Sequence, residues 1–496
     1  MSTNQSPLPK RVHVVGICGV ATSALAVAFK KKGILVTGSD KGFFPPVSTE
    51  LEAQGVPYYA GWHPEKMFDG LFANDSSDSS SQSSQTKTST FNTDENIVIV
   101  GTASGSTNPE TAFAREKGLS IYSFAEAIGK YFVKEQSIVC VGTWGKTSSS
   151  ALLSFILEQV DLNPTYMFGG ISLSHESSAK LTDSTWNVFE GDEYKSSPTD
   201  LRAKFFHYKP SDLLLTAVSW DHADLYPNEA QYFEAFSKLL AQIPRNGSII
   251  VCRDHMKALD LVNSSGKKYV TYGRAIPGKD LSYSYKNVRQ TKDGLDLTIS
   301  NDGIDYQIHS PMLGLYQSEN ITGCFAMACE KGIQTDKIIK AITLFKGLKR
   351  RMEKRLDSEI TVIDDIAHSP EKAASVLQTL KSVYLGKIIA IFEPNSGGRS
   401  RESIEKYNNA FENADIVIIP RLTKLKLNED EKDQPMEGDE LVSVIKKTHP
   451  HVEYIDDDKK LIDYLVTTAK TGDIIAFLGS HGFRGMIEET VNKLQI

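Results

Sequence analysis

The sequence predicts an α/β protein built as three domains in series, and three observations predict it. Short apolar runs alternate with helix-length runs along most of the chain, the pattern of doubly wound parallel sheets. Two glycine-rich turns, at residues 16–19 and 142–145, each stand between a short apolar run and a helix pattern. The chain has 496 residues, too many for one core, so about two to four domains are expected.

Composition narrows the class. Hydrophobic residues make up 40% and charged residues 24%, as in an ordinary globular protein. A net charge of −7 argues against a general nucleic-acid surface and gives a membrane patch no support. The five cysteines (Cys18, Cys140, Cys252, Cys324, Cys329) contain no C-x-x-C pair. That favours a reducing cytoplasm over a disulfide framework or a cysteine zinc site. The opening MSTNQSPLPKR has no apolar core, so no signal peptide is expected, and no run reaches the length of a membrane span.

The first domain is expected over residues 1–132. A strand at 11–15 runs into Gly16-Ile-Cys-Gly19-Val-Ala-Thr22, then a helix pattern, then a strand at 35–37 ending in Ser39-Asp40. This is a βαβ unit with a glycine turn that suits a nucleotide diphosphate, although Ala21 and Thr22 stand where a third glycine is usual. The plain alternative is a structural turn. Residues 74–92 are rich in Ser, Thr, Asp and Gln and read as a disordered insertion. A strand at 95–101 leads to TASGSTNPE at 102–110, a loop that either holds a sugar or phosphate or simply caps a helix at Asn108-Pro109. A helix at 110–117, a strand at 119–122 and a connecting helix at 124–132 follow.

The central domain, 133–347, opens on the most informative stretch. The strand at 138–141 ends in Gly142-Thr143-Trp144-Gly145-Lys146-Thr147, and a helix follows. Backbone N–H groups at that helix start would face a polyanion, Lys146 adds charge, and the Thr147 hydroxyl suits Mg²⁺. The loop is shorter between its glycines than G-x-x-x-x-G-K-[ST], and its bland alternative is a strand–turn–helix corner. A strand at 186–189 ends in Glu190-Gly191-Asp192-Glu193-Tyr194, oxygen ligands of the kind Mg²⁺ prefers, or else a solvated turn. A further strand at 212–216 leads to Trp220-Asp221-His222, where His222 is a metal or phosphate contact or a satisfied loop histidine. Residues 269–310 alternate as β-strands, with a hairpin at Asn301-Asp302-Gly303, and helices at 320–331 and 336–345 close the domain. The third domain, 348–496, starts with a basic hinge, LKRRMEK. It then alternates strands (360–364, 387–392, 415–419, 452–455, 473–478) with helices (370–383, 404–413, 439–447, 459–469 and a last one).

The order and spacing of several motifs resemble the Mur ligase family across nearly the whole chain. They are GTWGKT at 142–147, Glu190-Gly-Asp-Glu, Asp221-His222, Glu319-Asn320, Arg350-Arg351-Met-Glu353 and Asp364-Asp365-Ile-Ala-His368-Ser-Pro370. The resemblance implies a Rossmann-like first domain, a central phosphate-loop ATPase-type parallel sheet with added β-strands, and a Rossmann-like third domain. It implies an ATP- and Mg²⁺-dependent ligase that phosphorylates a carboxylate and passes the acyl group to an amine. Gly142, Thr143, Gly145, Lys146, Thr147 and Ser148 would cradle phosphates. Thr147, Glu190 and His222 would serve the metal, and Asn320 the adenine. Arg351 and His368 would reach the phosphates, and Asp365 the ribose. The third domain would then close about residues 347–349 before chemistry.

Gly16, Gly19, Ser39, Asp40, Ser104 and Asn108 look like the branch that binds UDP-N-acetylmuramate. Two acceptor amines compete there: L-alanine, in peptidoglycan synthesis, and an L-Ala-γ-D-Glu-diaminopimelate tripeptide, in recycling. PPVSTELE at 45–52, GDEY at 191–194, the segment 202–208, DHAD at 221–224 and Glu393-Pro394 look more like the tripeptide branch. Trp144, Gly191 and Ala217 depart from the family's usual His, Ala and Asn. Lys238 is out of register for the carbamylated lysine some members use. The partners implied are small molecules, with no nucleic acid or membrane, for a cytoplasmic monomer or weak homo-oligomer. A nicotinamide oxidoreductase leaves the phosphate loop unexplained. A folylpolyglutamate-type ligase does not need the first domain. A non-catalytic nucleotide switch makes the acidic cluster incidental.

Overall fold

A computed structural model describes residues 6–44, 47–70, 95–102, 107–278, 281–424 and 434–495. The expected insertion at 74–92 and Ser104 lie outside the described residues. The chain forms two compact units. One comprises residues 1–286, 298–308 and 319–344, and the other residues 287–297, 309–318 and 345–496. Three sheets run through them.

The first sheet contains β1 (Arg11–Val15), β2 (Leu35–Asp40), β3 (Tyr58–Ala60), β4 (Asn96–Val100) and β5 (Ser120–Ser123). Its order is β3-β2-β1-β4-β5, all parallel. Val12, Val14 and Val15 are fully buried, as expected of a strand covered on both faces. The chain order reverses between β1 and β4, which leaves a crevice beyond their carboxyl ends. Ser123 and Glu126 form a capping box on the helix Phe124–Ala127, and the chain then widens into a π turn, Ile128–Phe132. The connecting helix expected at 124–132 is therefore two short pieces. A Cβ on Gly129 would lie 2.5 Å from the His207 carbonyl, so this approach of two segments requires glycine.

The central sheet holds β6 (Gln136–Val141), β7 (Thr165–Met167), β8 (Ala179–Lys180), β9 (Trp186–Gly191), β10 (Asp212–Leu215), β11 (Ile249–Cys252), β12 (Val270–Arg274), β13 (Tyr283–Thr291), β14 (Gly294–Asn301) and β15 (Ile304–Ser310). Its order is β15-β14-β13-β12-β11-β10-β6-β9-β7-β8. The strands from β7 to β12 in that order are parallel, but β8 runs antiparallel to β7. The expected parallel core with added strands is therefore present, and the additions make the sheet mixed. β8 is two residues long on a returning loop, too short to show in the sequence pattern. The expected hairpin at Asn301-Asp302-Gly303 joins β14 to β15, with Asp302 and Gly303 at φ 48° and 78°, the left-handed geometry of a tight hairpin turn.

The third sheet contains β16 (Glu353–Asp357), β17 (Thr361–Asp365), β18 (Ile388–Glu393), β19 (Ile416–Pro420), β20 (Val452–Ile455) and β21 (Ile474–Gly479). Its order is β16-β17-β21-β18-β19-β20, with β16 antiparallel to β17 and the other pairs parallel. β16 overlaps the basic run expected to be a hinge. Charged residues suit an edge strand, where one side faces water. The helix expected at 404–413 is instead a 3₁₀ stretch, Arg401–Tyr407, followed by turns. Among the described residues no helix is long and apolar enough to cross a membrane.

Candidate active site

The phosphate loop leaves the middle of the central sheet. β6 is flanked by β9 and β10, so the loop after it opens at the point where the chain order reverses. Gly142 (φ 136°) and Gly145 (φ 84°) adopt conformations other residues avoid. A Cβ on Gly142 would lie 2.3 Å from Thr216 Oγ1, and one on Gly145 2.7 Å from Asn320 Oδ1. Thr143 N donates to the Ala217 carbonyl at 2.6 Å, and Thr216 Oγ1 to the Trp144 carbonyl at 2.6 Å. The loop is therefore lashed to the segment after β10, and Ala217 acts through its backbone. Gly145 is the N-cap of the helix Lys146–Gln159, whose first N–H groups face the loop.

Two carboxylates meet the loop, each with its own partner. Lys146 Nζ lies 3.0 and 2.9 Å from the two oxygens of Glu193, which is 1% exposed. The Thr147 hydroxyl donates to Glu190 Oε1 at 2.8 Å, and Gly169 N donates to Glu190 Oε2 at 2.5 Å. Burial pushes the Glu190 carboxyl up, against the pull of Gly169 N–H and Lys146. His222 Nε2 stands 3.6 Å from Glu193 Oε1, and Asp192, Glu193 and His222 bring one ligand atom each within 4.8 Å of one another. The expected metal set is thus divided: Thr147 goes with Glu190, and His222 goes with Glu193 and Asp192. Burial pushes the Asp192 carboxyl up, but Lys204 at 2.5 Å brings it below the usual range. Glu193 was legible in sequence only as a member of an acidic run. Its pairing with Lys146 spans 47 positions.

Asn320, on the helix Gln317–Glu330, lies beside the loop, with Oδ1 3.5 Å from the Ser149 hydroxyl. Trp144 is 53% exposed and stands edge-on to His255, with ring centroids 6.0 Å apart. His255 Nε2 is 3.1 Å from both oxygens of Glu319, which raises its pKa. Trp144 is thus braced from one side by an ion pair that the sequence did not announce.

The crevice of the first sheet is a cavity of about 610 Å³. Gly16, Gly19, Asp40 and Asn108 line it, with Thr22, with Lys204 of the segment 202–208, and with Lys41 and Trp62, which were not singled out from the sequence. The Thr22 hydroxyl donates to the Gly16 carbonyl at 2.7 Å, so it braces the turn from the position where a third glycine is usual. Asp40 Oδ2 accepts from Cys18 N at 2.8 Å. Asn108 caps the helix Pro109–Glu116, accepting from Glu110 N at 2.9 Å. Ser39 does not line the cavity. It is fully buried and donates to Glu110, inside a polar network with His13, Thr37 and Tyr59.

In the second unit, Arg350 and Met352 have φ 57° and 51°, so the chain is left-handed on both sides of Arg351. Arg350 reaches Asp364 at 3.2 Å and the Ser480 carbonyl at 3.0 Å. Asp365, expected at a ribose, accepts from Met352 N at 2.7 Å and Ala367 N at 2.8 Å and is 5% exposed. It braces the loop around Arg351. His368 Nδ1 donates to the Ile366 carbonyl at 2.6 Å, and burial lowers its pKa.

A glycine loop at a helix start, backed by the buried Glu193 and the half-buried Glu190, with a separate crevice on another parallel sheet, is an arrangement that suits a nucleotide-dependent enzyme. The family comparisons agree. Residues 11–134 match the Mur ligase family catalytic domain, 141–328 the Mur ligase middle domain and 350–481 the Mur ligase glutamate ligase domain. The chain belongs to the Mur ligase family, and so is an ATP-dependent ligase that forms amide bonds. It is 28% identical over 487 residues to the UDP-N-acetylmuramate–L-alanine ligase of Mesorhizobium japonicum, covering 95% of this chain and 94% of the relative. It is 26% identical over 500 residues to the UDP-N-acetylmuramate–L-alanyl-γ-D-glutamyl-meso-2,6-diaminoheptandioate ligase of Haemophilus influenzae, covering 98% and 100%. Its fold matches the UDP-N-acetylmuramate–alanine ligase of Thermotoga maritima with a TM-score of 0.75 at 22% identity, covering 98% and 99%.

Proposed function

We propose that this cytoplasmic ligase activates the lactyl carboxylate of UDP-N-acetylmuramate and joins it to the tripeptide L-Ala-γ-D-Glu-diaminopimelate. The observation that carries the reading is the Lys146–Glu193 pair at 2.9 Å beside Asp192 and His222, where a phosphate loop meets hard-cation ligands. A carboxylate oxygen attacks the γ-phosphorus of ATP, the bond to ADP breaks, and an acyl phosphate forms. The amine then attacks the acyl carbon, loses a proton, and phosphate leaves. Such chemistry needs positioning and charge neutralisation, not a protein nucleophile.

Lys146 and the loop amides hold the phosphates, and Asn320 meets the base. Carboxylates, an imidazole and the Thr147 hydroxyl fit Mg²⁺, which neutralises phosphate charge when bound. Asp192, Glu193 and His222, together with Thr147 and Glu190, are the residues that would hold it. Arg351 and His368 are proposed to act on the transferring phosphoryl group. The glycine turn at Gly16 and Gly19, with Asp40 and Asn108, receives the sugar nucleotide.

The tripeptide reading is supported by the resemblance of residues 202–208, which include Lys204 of the cavity wall, to that branch. L-Alanine is the second reading, favoured by the names of the Mesorhizobium and Thermotoga proteins. Phosphate release from ATP with UDP-N-acetylmuramate, given either amine, tests both. Release only with the tripeptide is expected, release only with L-alanine selects the second reading, and none with either overturns the substrate assignment.

A further inference from the structure

Lys204 belongs to two places at once. It opens the 3₁₀ turn Lys204–Tyr208 and lines the cavity of the first sheet. Its Nζ also lies 2.5 Å from Asp192 Oδ2 and 5.8 Å from the centre of the Tyr194 ring. Asp192 is followed by Glu193, which holds Lys146 of the phosphate loop. Two consecutive carboxylates therefore join the cavity wall to the phosphate-loop lysine.

The position is built rather than incidental. Lys204 N donates to the Tyr194 carbonyl at 3.1 Å, Phe205 N to the Asp192 carbonyl at 3.3 Å, and Lys195 bridges Ala203. The Lys204 side chain is only 16% exposed. An ammonium offers three donors, and Asp192 occupies one.

The proposed substrate has two anionic centres. Its diphosphate suits the glycine turn and the start of the helix Val20–Lys31. Its carboxylate has to approach the phosphoryl donor held at Lys146. Among the described residues the cavity presents two lysines: Lys41, exposed beyond the end of β2, and Lys204, which alone of the two is bonded to the acidic cluster.

We propose that Lys204 receives the lactyl carboxylate of the sugar nucleotide and is the residue by which the cavity distinguishes a muramyl from a glucosaminyl substrate. The inference rests on reading this cavity as the sugar-nucleotide site. The carboxylate becomes a second partner of an ammonium already fixed by Asp192, on the side facing the phosphate loop. Lys204 takes no part in bond making; it holds the nucleophilic carboxylate.

The test is direct binding to the full chain, without ATP, of UDP-N-acetylmuramate and of UDP-N-acetylglucosamine, which lacks the lactyl carboxylate. The wild-type protein should prefer the muramyl compound by about tenfold or more, the size of one well-placed charge pair. Lys204→Met should erase the preference and leave the UDP-N-acetylglucosamine affinity within about twofold. Because Lys204→Met leaves the half-buried Asp192 carboxylate unpaired, the double variant Asp192→Asn/Lys204→Met is measured beside it and should also show no preference. A preference kept by either folded variant overturns the assignment. Equal binding of both compounds by the wild type overturns it too, while leaving the cavity reading intact. Binding of neither overturns the cavity reading and, with it, this inference.

Discussion

Lys146 and Glu193 show how much one side-chain pair can carry. The pair lies at the start of a helix, almost out of water, and its geometry depends on both members. Lys146→Ala should lower ATP-dependent phosphate release on the order of a hundredfold or more, since it removes charge stabilisation that is strongest in the transition state. A loss smaller than about tenfold would mean that the loop binds phosphate without this lysine. His175 gives a prediction about stability instead. Its ring is buried among Phe155, Tyr166 and Phe168, and burial, aided by the Lys180 charge, lowers its pKa from 6.5 to about 3. The folded state keeps it neutral, so its stabilising contribution is fully present above pH 6.5 and is lost as pH falls from there toward about 3. Unfolding free energy should fall by roughly 1.4 kcal/mol per pH unit from this group within that window. Denaturant unfolding at about pH 5.5 and 4, inside that window, should show that slope, and His175→Phe should remove it.

Gly191 ends β9 beside β6, and packing gives the reason for a glycine there. A Cβ there would lie 2.4 Å from Val141 Cγ1 and 2.7 Å from Val139 Cγ1, so two stiff valines of β6 occupy the space an alanine would need. Gly191→Ala should destabilise the protein by about 1–3 kcal/mol through overpacking. Pairing it with Val141→Ala should recover part of the loss, and thermal unfolding of the three variants would show whether it does. The first sheet gives a parallel case at a helix end. Asn108 both caps Pro109–Glu116 and lines the cavity. Asn108→Ala should cost about 1 kcal/mol of stability and also weaken sugar-nucleotide binding, two readouts from one side chain. Elements of this size were legible where a pattern was local: the hairpin at Asn301-Asp302-Gly303, the cap at Asn108, the loop at Gly142–Thr147 (residues 142–147). The edge strands β8 and β16 were not. One is two residues long, and the other is a run of charges whose strand character comes from pairing with β17.

For the molecule as a whole, the assignment separates binding from chemistry. The cavity proposed for the sugar nucleotide lies in the first compact unit, while Arg351 lies in the second. Arg351→Ala should lower phosphate release by at least about tenfold and leave UDP-N-acetylmuramate affinity, measured by titration, within about twofold. A matching loss of affinity would show that Arg351 serves ground-state binding. Trp144 belongs to the same scale of question. Its ring is exposed at the phosphate loop, but its orientation is set by His255 and Glu319, 111 and 175 positions further along the chain.

The sequence by itself determined the α/β class, the order of the main strands and helices, the glycine loop at 142–147 and the family, because each is written in short periodic runs or in motifs of a few consecutive residues. Only the tertiary structure decided which carboxylate serves which partner. Glu190 and Glu193 are three residues apart and chemically alike, yet one takes Thr147 and the other Lys146 with His222. It likewise withdrew Ser39 from the cavity, turned Asp365 inward to brace Arg351, and brought Lys204 to the cavity wall. The reason is physical. A strand or a turn depends on its own neighbours, whereas the direction and burial of a side chain at a strand end depend on segments that only packing brings alongside.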